Sequence, residues 1–200
     1  MDRKDMATRT RVFAAVLAWC AIAGAVGYSG VLLSLPRPVL QVILFTLTAA
    51  CLTGYFAVSR VRGDIDALGT RALIAIHLSR FVGAYFLILH EQGRLPTAFA
   101  VYGGWGDIIT ASGALALLTL PMRWTRVRLL VGVWNLYGFV EICFVVATAG
   151  ICGMRDPDSM FELAKLPLSL LPTFLVPLII ASHVVIFVHL RAAAMGARSR

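Results

Sequence analysis

Six long apolar runs dominate this 200-residue sequence and restrict what it can fold into. A run of about 20 apolar residues crosses the hydrocarbon core of a bilayer as an α-helix. Lipid offers no hydrogen bonds, so the backbone of such a run has to satisfy its own polar groups. We therefore predict an all-α, polytopic membrane protein, a single integral-membrane domain over residues 1–200 with six transmembrane helices in one compact bundle. The predicted spans are Val12–Leu35, Val39–Ser59, Ala72–His90, Ala98–Leu120, Leu129–Ile151 and Leu166–Leu190.

The composition excludes several classes of protein. The chain is 60% hydrophobic and 14% charged, whereas about a quarter of the residues of an ordinary soluble domain are charged. A soluble fold of this size has too much surface to cover such a composition with polar groups. The four cysteines form no C-x-x-C pair, which argues against a disulfide framework and a thiolate zinc site.

The distribution of Lys and Arg predicts the orientation in the membrane. Thirteen of the 18 basic residues, Arg123 included, fall on one side of the six-span scheme, and four, Arg37 included, fall on the other. The positive-inside rule then places both termini on the cytoplasmic side of the membrane, which we expect to be a bacterial-type inner membrane. The first apolar run continues to Leu35 and is too long for a cleaved signal peptide, so we expect the first span to remain uncleaved. The lipid bilayer is the predicted partner. Nucleic-acid binding is not predicted, because the basic residues are spread over separate segments, and a homo-oligomer is left open.

Polar side chains inside the spans carry the functional prediction. A charged side chain costs about 2.5–3.5 kcal/mol or more at the centre of a membrane helix, so such groups are expected to face one another and not lipid. The depth of each polar side chain follows from a rise of 1.5 Å per residue, counted from the cytoplasmic end of its span. These depths fall in the middle and inner half of the bilayer. The predicted buried functional cluster consists of Arg80, Asp107, His183, His77, Glu141 and Asn135.

Within this cluster, Arg80 and Asp107 form the predicted ion pair, because opposite charges offset part of each other's desolvation. Three glycines, Gly103, Gly104 and Gly106, surround Asp107 and allow another backbone, a ligand or water to come close. The same pattern is also typical of a packing seam with a structural ion pair. The sequence leaves both interpretations open.

Prolines interrupt the last predicted span. Pro172 and Pro177 each remove a helical hydrogen bond and free the carbonyls of Leu168 and Thr173. Such carbonyls line ion or water paths in some transporters, and elsewhere they mark inert bends.

The function predicted first is proton-linked transport or permeation of an ion or small solute. Asp107 or Glu141 would carry the proton, Arg80 would be the counter-charge, and His183 would be a relay. The alternatives are a redox protein with one haem b between His77 and His183, a membrane-embedded enzyme with or without a metal ion, and a non-catalytic accessory subunit. The sequence has no H-x-x-x-H, H-E-x-x-H or E-x-x-H pair that would place two metal ligands on one helical turn, so no metal ligands are assigned. Enzymatic activity is left open.

Overall fold

The computed structural model of the chain describes residues 3–36, 38–121 and 125–198, with side chains over 6–36, 38–121 and 126–195. Over these residues the chain is all-helical and has no β-strand, as predicted. Arg37 and Arg123, which contribute to the predicted orientation, lie outside the described residues.

The helices follow one another with short connections. They are α1 (Arg3–Tyr28), α2 (Val31–Ser34), α3 (Pro38–Ala57), α4 (Ser59–Asp66), α5 (Gly69–Ile76), a 3₁₀ turn (His77–Val82), α6 (Gly83–Glu91), α7 (Thr97–Thr119), α8 (Thr125–Arg155), a 3₁₀ segment (Pro157–Ala164), a π-helical turn (Leu171–Leu175) and α9 (Val176–Arg198).

Five helical segments are long and apolar enough to cross a membrane, and they correspond to five of the six predicted spans. The fourth predicted span, Ala98–Leu120, also forms a helix, α7, but it is not among the five, so six spans are not confirmed. Asp107 and the glycines around it make α7 less apolar than the others. The five segments are Met6–Tyr28, Pro38–Ala57, Gly69–Glu91, Arg126–Arg155 and Leu171–Met195.

The first predicted span ends earlier than its apolar run. We predicted a helix to Leu35, but α1 ends at Tyr28 and only the short helix α2 follows. Gly30 between them has a φ of 74°, which is the left-handed conformation that glycine adopts at helix ends. Hydrophobicity alone does not reveal such a break.

The chain forms two compact units, each of which combines residues distant in sequence. Unit 1 consists of Met1–Gly69 and Gly150–Leu178, and unit 2 of Thr70–Ala149 and Ile179–Arg200. Each unit is therefore held together by contacts between segments that are far apart in the sequence.

In unit 1, the carbonyls that the prolines free have partners within the protein. The indole Nε1 of Trp19 donates to the carbonyl of Thr173 at 2.9 Å, and the ring of Trp19 packs edge-on against Phe174. The carbonyl of Leu168 accepts from the backbone N–H of Leu171 at 3.0 Å. The kink therefore has the contacts of a structural bend, and neither carbonyl is available to line an ion path.

In unit 2, glycines bring α6 and α7 into backbone contact. A Cβ added to Gly104 would lie 2.8 Å from the carbonyl oxygen of Gly83, and one added to Gly83 would lie 2.7 Å from the Cβ of Asp107. Real Cβ atoms do not come so close to backbone, so only glycine fits at this crossing. The crossing holds Asp107 at a fixed height against the preceding helix.

We expect Gly104→Ala to destabilise the protein by about 1–3 kcal/mol, because its Cβ would have to push two backbones apart. Gly24→Ala in α1 is the matched control, since a Cβ there meets nothing within 4 Å. Thermal unfolding of the detergent-purified protein measures both. Equal midpoints of thermal unfolding for the two variants would show that the backbones of α6 and α7 are not in close contact at Gly104.

Candidate functional site

A buried arginine binds three partners on two other helices. Arg80, in the 3₁₀ turn, is 1% exposed. Its Nε donates to Oδ1 of Asp107 on α7 at 2.5 Å, and its Nη1 donates to the carbonyl of Gly138 on α8 at 3.0 Å. Its Nη2 forms an ion pair with Glu141, also on α8. The guanidinium thus joins the 3₁₀ turn, α7 and α8.

The 3₁₀ turn determines which side chains accompany Arg80. Residues i and i+3 of a 3₁₀ helix lie directly above one another, so His77 and Arg80 share a face. Both side chains are buried, at 0% and 1% exposure. A 3₁₀ stretch between two α-helical segments is often found at a functional position.

Glycines of α7 also make room for α8. A Cβ on Gly106 would collide with the carboxylate of Glu141, and one on Gly103 would lie 3.1 Å from Val145. One turn further along, the indole of Trp134 donates to the carbonyl of Thr110 at 2.9 Å. The small residues that the sequence places around Asp107 therefore let Glu141 reach Arg80.

The charges of this cluster do not balance. Arg80 supplies one positive charge, whereas Asp107 and Glu141 together supply two negative charges when both are ionised. Among the residues that the structure describes, Arg80 is the one side-chain cation paired with either carboxylate. All three side chains are buried, and an uncompensated buried charge is costly. Neutrality requires one further positive charge, which a proton on a carboxylate, a proton on a neighbouring histidine or a bound cation would supply.

Two histidines lie in contact beside the arginine. The ring centroids of His77 and His183 are 4.2 Å apart, and both side chains are fully buried. Nε2 of His77 is 3.0 Å from the hydroxyl oxygen of Ser182, and Nδ1 of His183 is 2.8 Å from Oδ1 of Asn135. The amide nitrogen of Asn135 in turn donates to the backbone carbonyl of His183 at 3.0 Å. Each ring is therefore held by one nitrogen.

Five buried atoms of the site lack a regular hydrogen bond. Two of them, Nη2 of Arg80 and Oε2 of Glu141, face each other in the ion pair, and the other three are Nδ1 of His77, Nε2 of His183 and Oε1 of Glu141. Nε2 of His183 lies against Gly138, where an added Cβ would be 3.1 Å away. Buried polar atoms normally have partners, so these open atoms make the cluster the candidate site of this unit.

The structure brings all six predicted cluster residues into unit 2 and contains the predicted Arg80–Asp107 ion pair. Glu141 was predicted as a member of the cluster but not as the second carboxylate on Arg80. Ser182 and Gly138 were not predicted as parts of the site. The spacing of Gly138 and Glu141, three residues apart on one helical face, is a signal that could have found them.

The haem alternative does not fit this arrangement. Axial imidazoles lie on opposite faces of a porphyrin, and with metal–nitrogen bonds of about 2 Å their ring centroids lie roughly 6 Å apart. The rings of His77 and His183 touch each other at 4.2 Å and leave no space for a macrocycle between them. The described part of the chain also contains no group of three or more His, Cys, Asp or Glu side chains arranged to hold a metal ion.

The charge imbalance predicts that two substitutions in the cluster change the stability of the protein by very different amounts. Arg80→Met should destabilise the protein by about 3–5 kcal/mol, because it leaves two buried carboxylates without a counter-charge. Glu141→Gln removes the excess negative charge and should leave stability within about 1 kcal/mol of the wild-type value. Thermal unfolding in detergent measures both. A Glu141→Gln variant as unstable as Arg80→Met would contradict the charge count.

No curated protein and no solved structure matches the chain. A family described as a domain of unknown function (DUF8737) matches residues 37–191, which include all six residues of the cluster. The match covers more than half of the sequence, and the chain therefore belongs to the DUF8737 family.

Proposed function

We propose that the chain is a six-helix protein of a bacterial-type inner membrane, with both termini cytoplasmic and α7 as the sixth span. The 23 residues of α7 are enough to cross the hydrocarbon core. Ten of them are buried, and Asp107 and Thr110 are among these, so the polar side chains of α7 need not face lipid. Large apolar side chains of the same helix, such as Ile109 and Leu115, are exposed and suit contact with acyl chains. Large apolar side chains such as Phe13, Val42 and Val140 are exposed, which suits contact with acyl chains.

The function of this protein is the proton-linked movement of an ion or small solute through the membrane. The observation that carries this proposal is the sharing of one guanidinium by two buried carboxylates. A site that lacks one positive charge binds a proton, and it releases that proton when another cation replaces it. Intramembrane carboxylates paired with arginine commonly take part in proton relays.

The contacts suggest a different role for each carboxylate. Asp107 accepts a hydrogen bond from Arg80 Nε at 2.5 Å and is held by the glycine crossing, so it remains the ionised partner of the arginine. Glu141 has one oxygen on Arg80 and the other, Oε1, without a partner. The proton therefore resides on Glu141, and the His77–His183 pair passes it on.

A purely structural cluster is the main competing interpretation. Ion pairs that only determine helix packing need balanced charges, and their polar atoms are satisfied. This cluster has two carboxylates for one guanidinium and three open atoms, which favours a binding role.

The proton on Glu141 has a direct spectroscopic test. Infrared difference spectra of the purified protein should contain the C=O band of a buried protonated carboxyl group at neutral pH, because the proposal places the balancing proton on Glu141. We expect this band to disappear in Glu141→Gln and to persist in Asp158→Asn, a control at an exposed aspartate. A band that Glu141→Gln leaves unchanged would assign the proton elsewhere.

Transport is tested with the protein in liposomes that contain a pH-sensitive dye. Under imposed gradients of small cations, anions and neutral solutes, the wild-type protein should move protons at least several-fold faster than empty vesicles do. Glu141→Gln should reduce this rate to the background, and Asp158→Asn should preserve it. If wild-type vesicles do not exceed empty ones under any of these gradients, the proposal fails.

A further inference from the structure

Asn135 on α8 fixes the ring of His183 through two hydrogen bonds. Its amide nitrogen donates to the backbone carbonyl of His183 at 3.0 Å, and its Oδ1 lies 2.8 Å from Nδ1 of the ring. A backbone carbonyl only accepts hydrogen bonds, so the amide N–H must point toward it and Oδ1 must point toward the ring. The amide oxygen also only accepts, so Nδ1 of His183 carries the ring proton. Nε2 is then the unprotonated nitrogen of this histidine.

Nε2 of His183 faces a second acceptor, the carbonyl of Gly138. A Cβ on Gly138 would lie 3.1 Å from Nε2, so the glycine lets the ring come close to the backbone of α8. Nε2 makes no regular hydrogen bond with the described residues, because a lone pair and a carbonyl oxygen have no proton between them. A proton added to Nε2 would therefore have an acceptor already in place.

His77 lacks an acceptor at one of its nitrogens. Its Nε2 lies 3.0 Å from the hydroxyl oxygen of Ser182, whereas its Nδ1 is buried and has no hydrogen-bond partner among the described residues. A doubly protonated His77 would contain a buried N–H without an acceptor, which costs free energy. The rings of His77 and His183 are in contact, so positive charges on both would repel each other. Of the two rings, His183 is the one with an acceptor at each nitrogen.

Arg80 contacts the neighbours of both proton positions. Its Nη1 donates to the carbonyl of Gly138, which Nε2 of His183 faces, and its Nη2 pairs with Glu141. Gly138 and Glu141 are three residues apart, so they lie on one face of α8. The ring and the carboxylate therefore both adjoin the same guanidinium.

The charges around His183 act in both directions. Burial of the ring and the positive charge of Arg80 disfavour an imidazolium. When Asp107 and Glu141 are both ionised, their two negative charges outweigh the one positive charge of Arg80 and favour it. We therefore expect His183 to be neutral while Glu141 holds the proton, and to become a cation only while both carboxylates are ionised.

We propose that Asn135 is a positioning residue for proton movement, and that it holds His183 so that Nε2 accepts the proton which Glu141 releases. This inference rests on the proposed function and assigns the next position of the proton in that site. The O–H bond of the Glu141 carboxyl group breaks, and an N–H bond forms at Nε2 of His183. Glu141 becomes a carboxylate and His183 an imidazolium, so the total charge of the cluster does not change. The imidazolium donates its two N–H groups to Asn135 and to the carbonyl of Gly138.

The first experiment separates proton uptake from onward transfer. Asn135→Leu removes both hydrogen bonds to His183 and no contact of Glu141. We expect it to slow proton movement in the liposomes by about tenfold or more, because the ring no longer presents Nε2 in a fixed orientation. The infrared band of the protonated Glu141 should persist in this variant. Thr48→Val is the matched control, since it removes a buried side-chain hydrogen bond of α3 outside the cluster, and its rate should stay within about twofold of the wild-type rate.

A second measurement uses the wild-type protein and does not depend on the folding of a variant. In detergent-purified protein with ¹⁵N-labelled histidine, Nδ1 of His183 should have the shift of a protonated nitrogen at neutral pH, and Nε2 that of an unprotonated one. As the pH is lowered, His183 should become doubly protonated before His77 does. A proton on Nε2 instead of Nδ1 at neutral pH, or earlier double protonation of His77, would overturn the inference.

Failure of this inference and failure of the proposed function give different results. If proton movement requires Glu141 but Asn135→Leu is as fast as Thr48→Val, the role of Asn135 is wrong and the proposed function stands. If Asn135→Leu loses the infrared band of Glu141 together with the rate, Asn135 only supports the structure, and the inference is again wrong. If wild-type vesicles move no protons, the proposed function fails and the role of Asn135 fails with it.

Discussion

The interaction on which the rest of unit 2 depends is the binding of one buried guanidinium by two carboxylates and a helix carbonyl. Arg80 contacts Asp107 on α7 and both Gly138 and Glu141 on α8, and these contacts use its donors in three directions. Burial strengthens these electrostatic contacts and also makes any remaining charge expensive. The contacts of Arg80 that hold the helices together therefore also leave the site short of one positive charge. The packing of α7 and α8 and the proposed proton binding thus depend on the same three charged side chains.

Much of the fold could be predicted from hydrophobicity, because apolar runs of membrane length have few alternatives to the helix. Five predicted spans correspond to apolar helices. Hydrophobicity gave no information on where α1 ends, since the left-handed Gly30 lies inside an apolar run. It also ranks α7 lower than its neighbours, because Asp107 and the small and polar residues around it lower the mean hydropathy of that helix. The feature that makes α7 doubtful as a span, Asp107 among glycines, is the one that places it in the site.

The residues that belong to the site could be predicted from the sequence, but the contacts between them could not. Depth along each span placed six polar residues in the middle and inner half of the bilayer, and the cost of exposing them to lipid indicated that they contact one another. Depth carries no information on which way a helix is turned, so the second carboxylate on Arg80 remained unassigned. Ser182 and Asn135 are the hydrogen-bond partners of His77 and His183, and no pattern in a single sequence reveals such pairings.

The proline bend and the charged cluster both contain buried polar groups, but they differ in the charges of these groups. Pro177 frees the carbonyl of Thr173, and Trp19 supplies the missing donor, so this carbonyl has its partner within the protein. Open buried atoms occur in both places, since the hydroxyl of Ser169 near the bend lacks a partner just as atoms of His77, His183 and Glu141 do. The two features differ in charge, because two carboxylates share one guanidinium at the cluster and the bend has no charged group. The unbalanced charge is therefore what distinguishes the cluster from a structural bend, and it is what supports the proposed uptake and release of a proton.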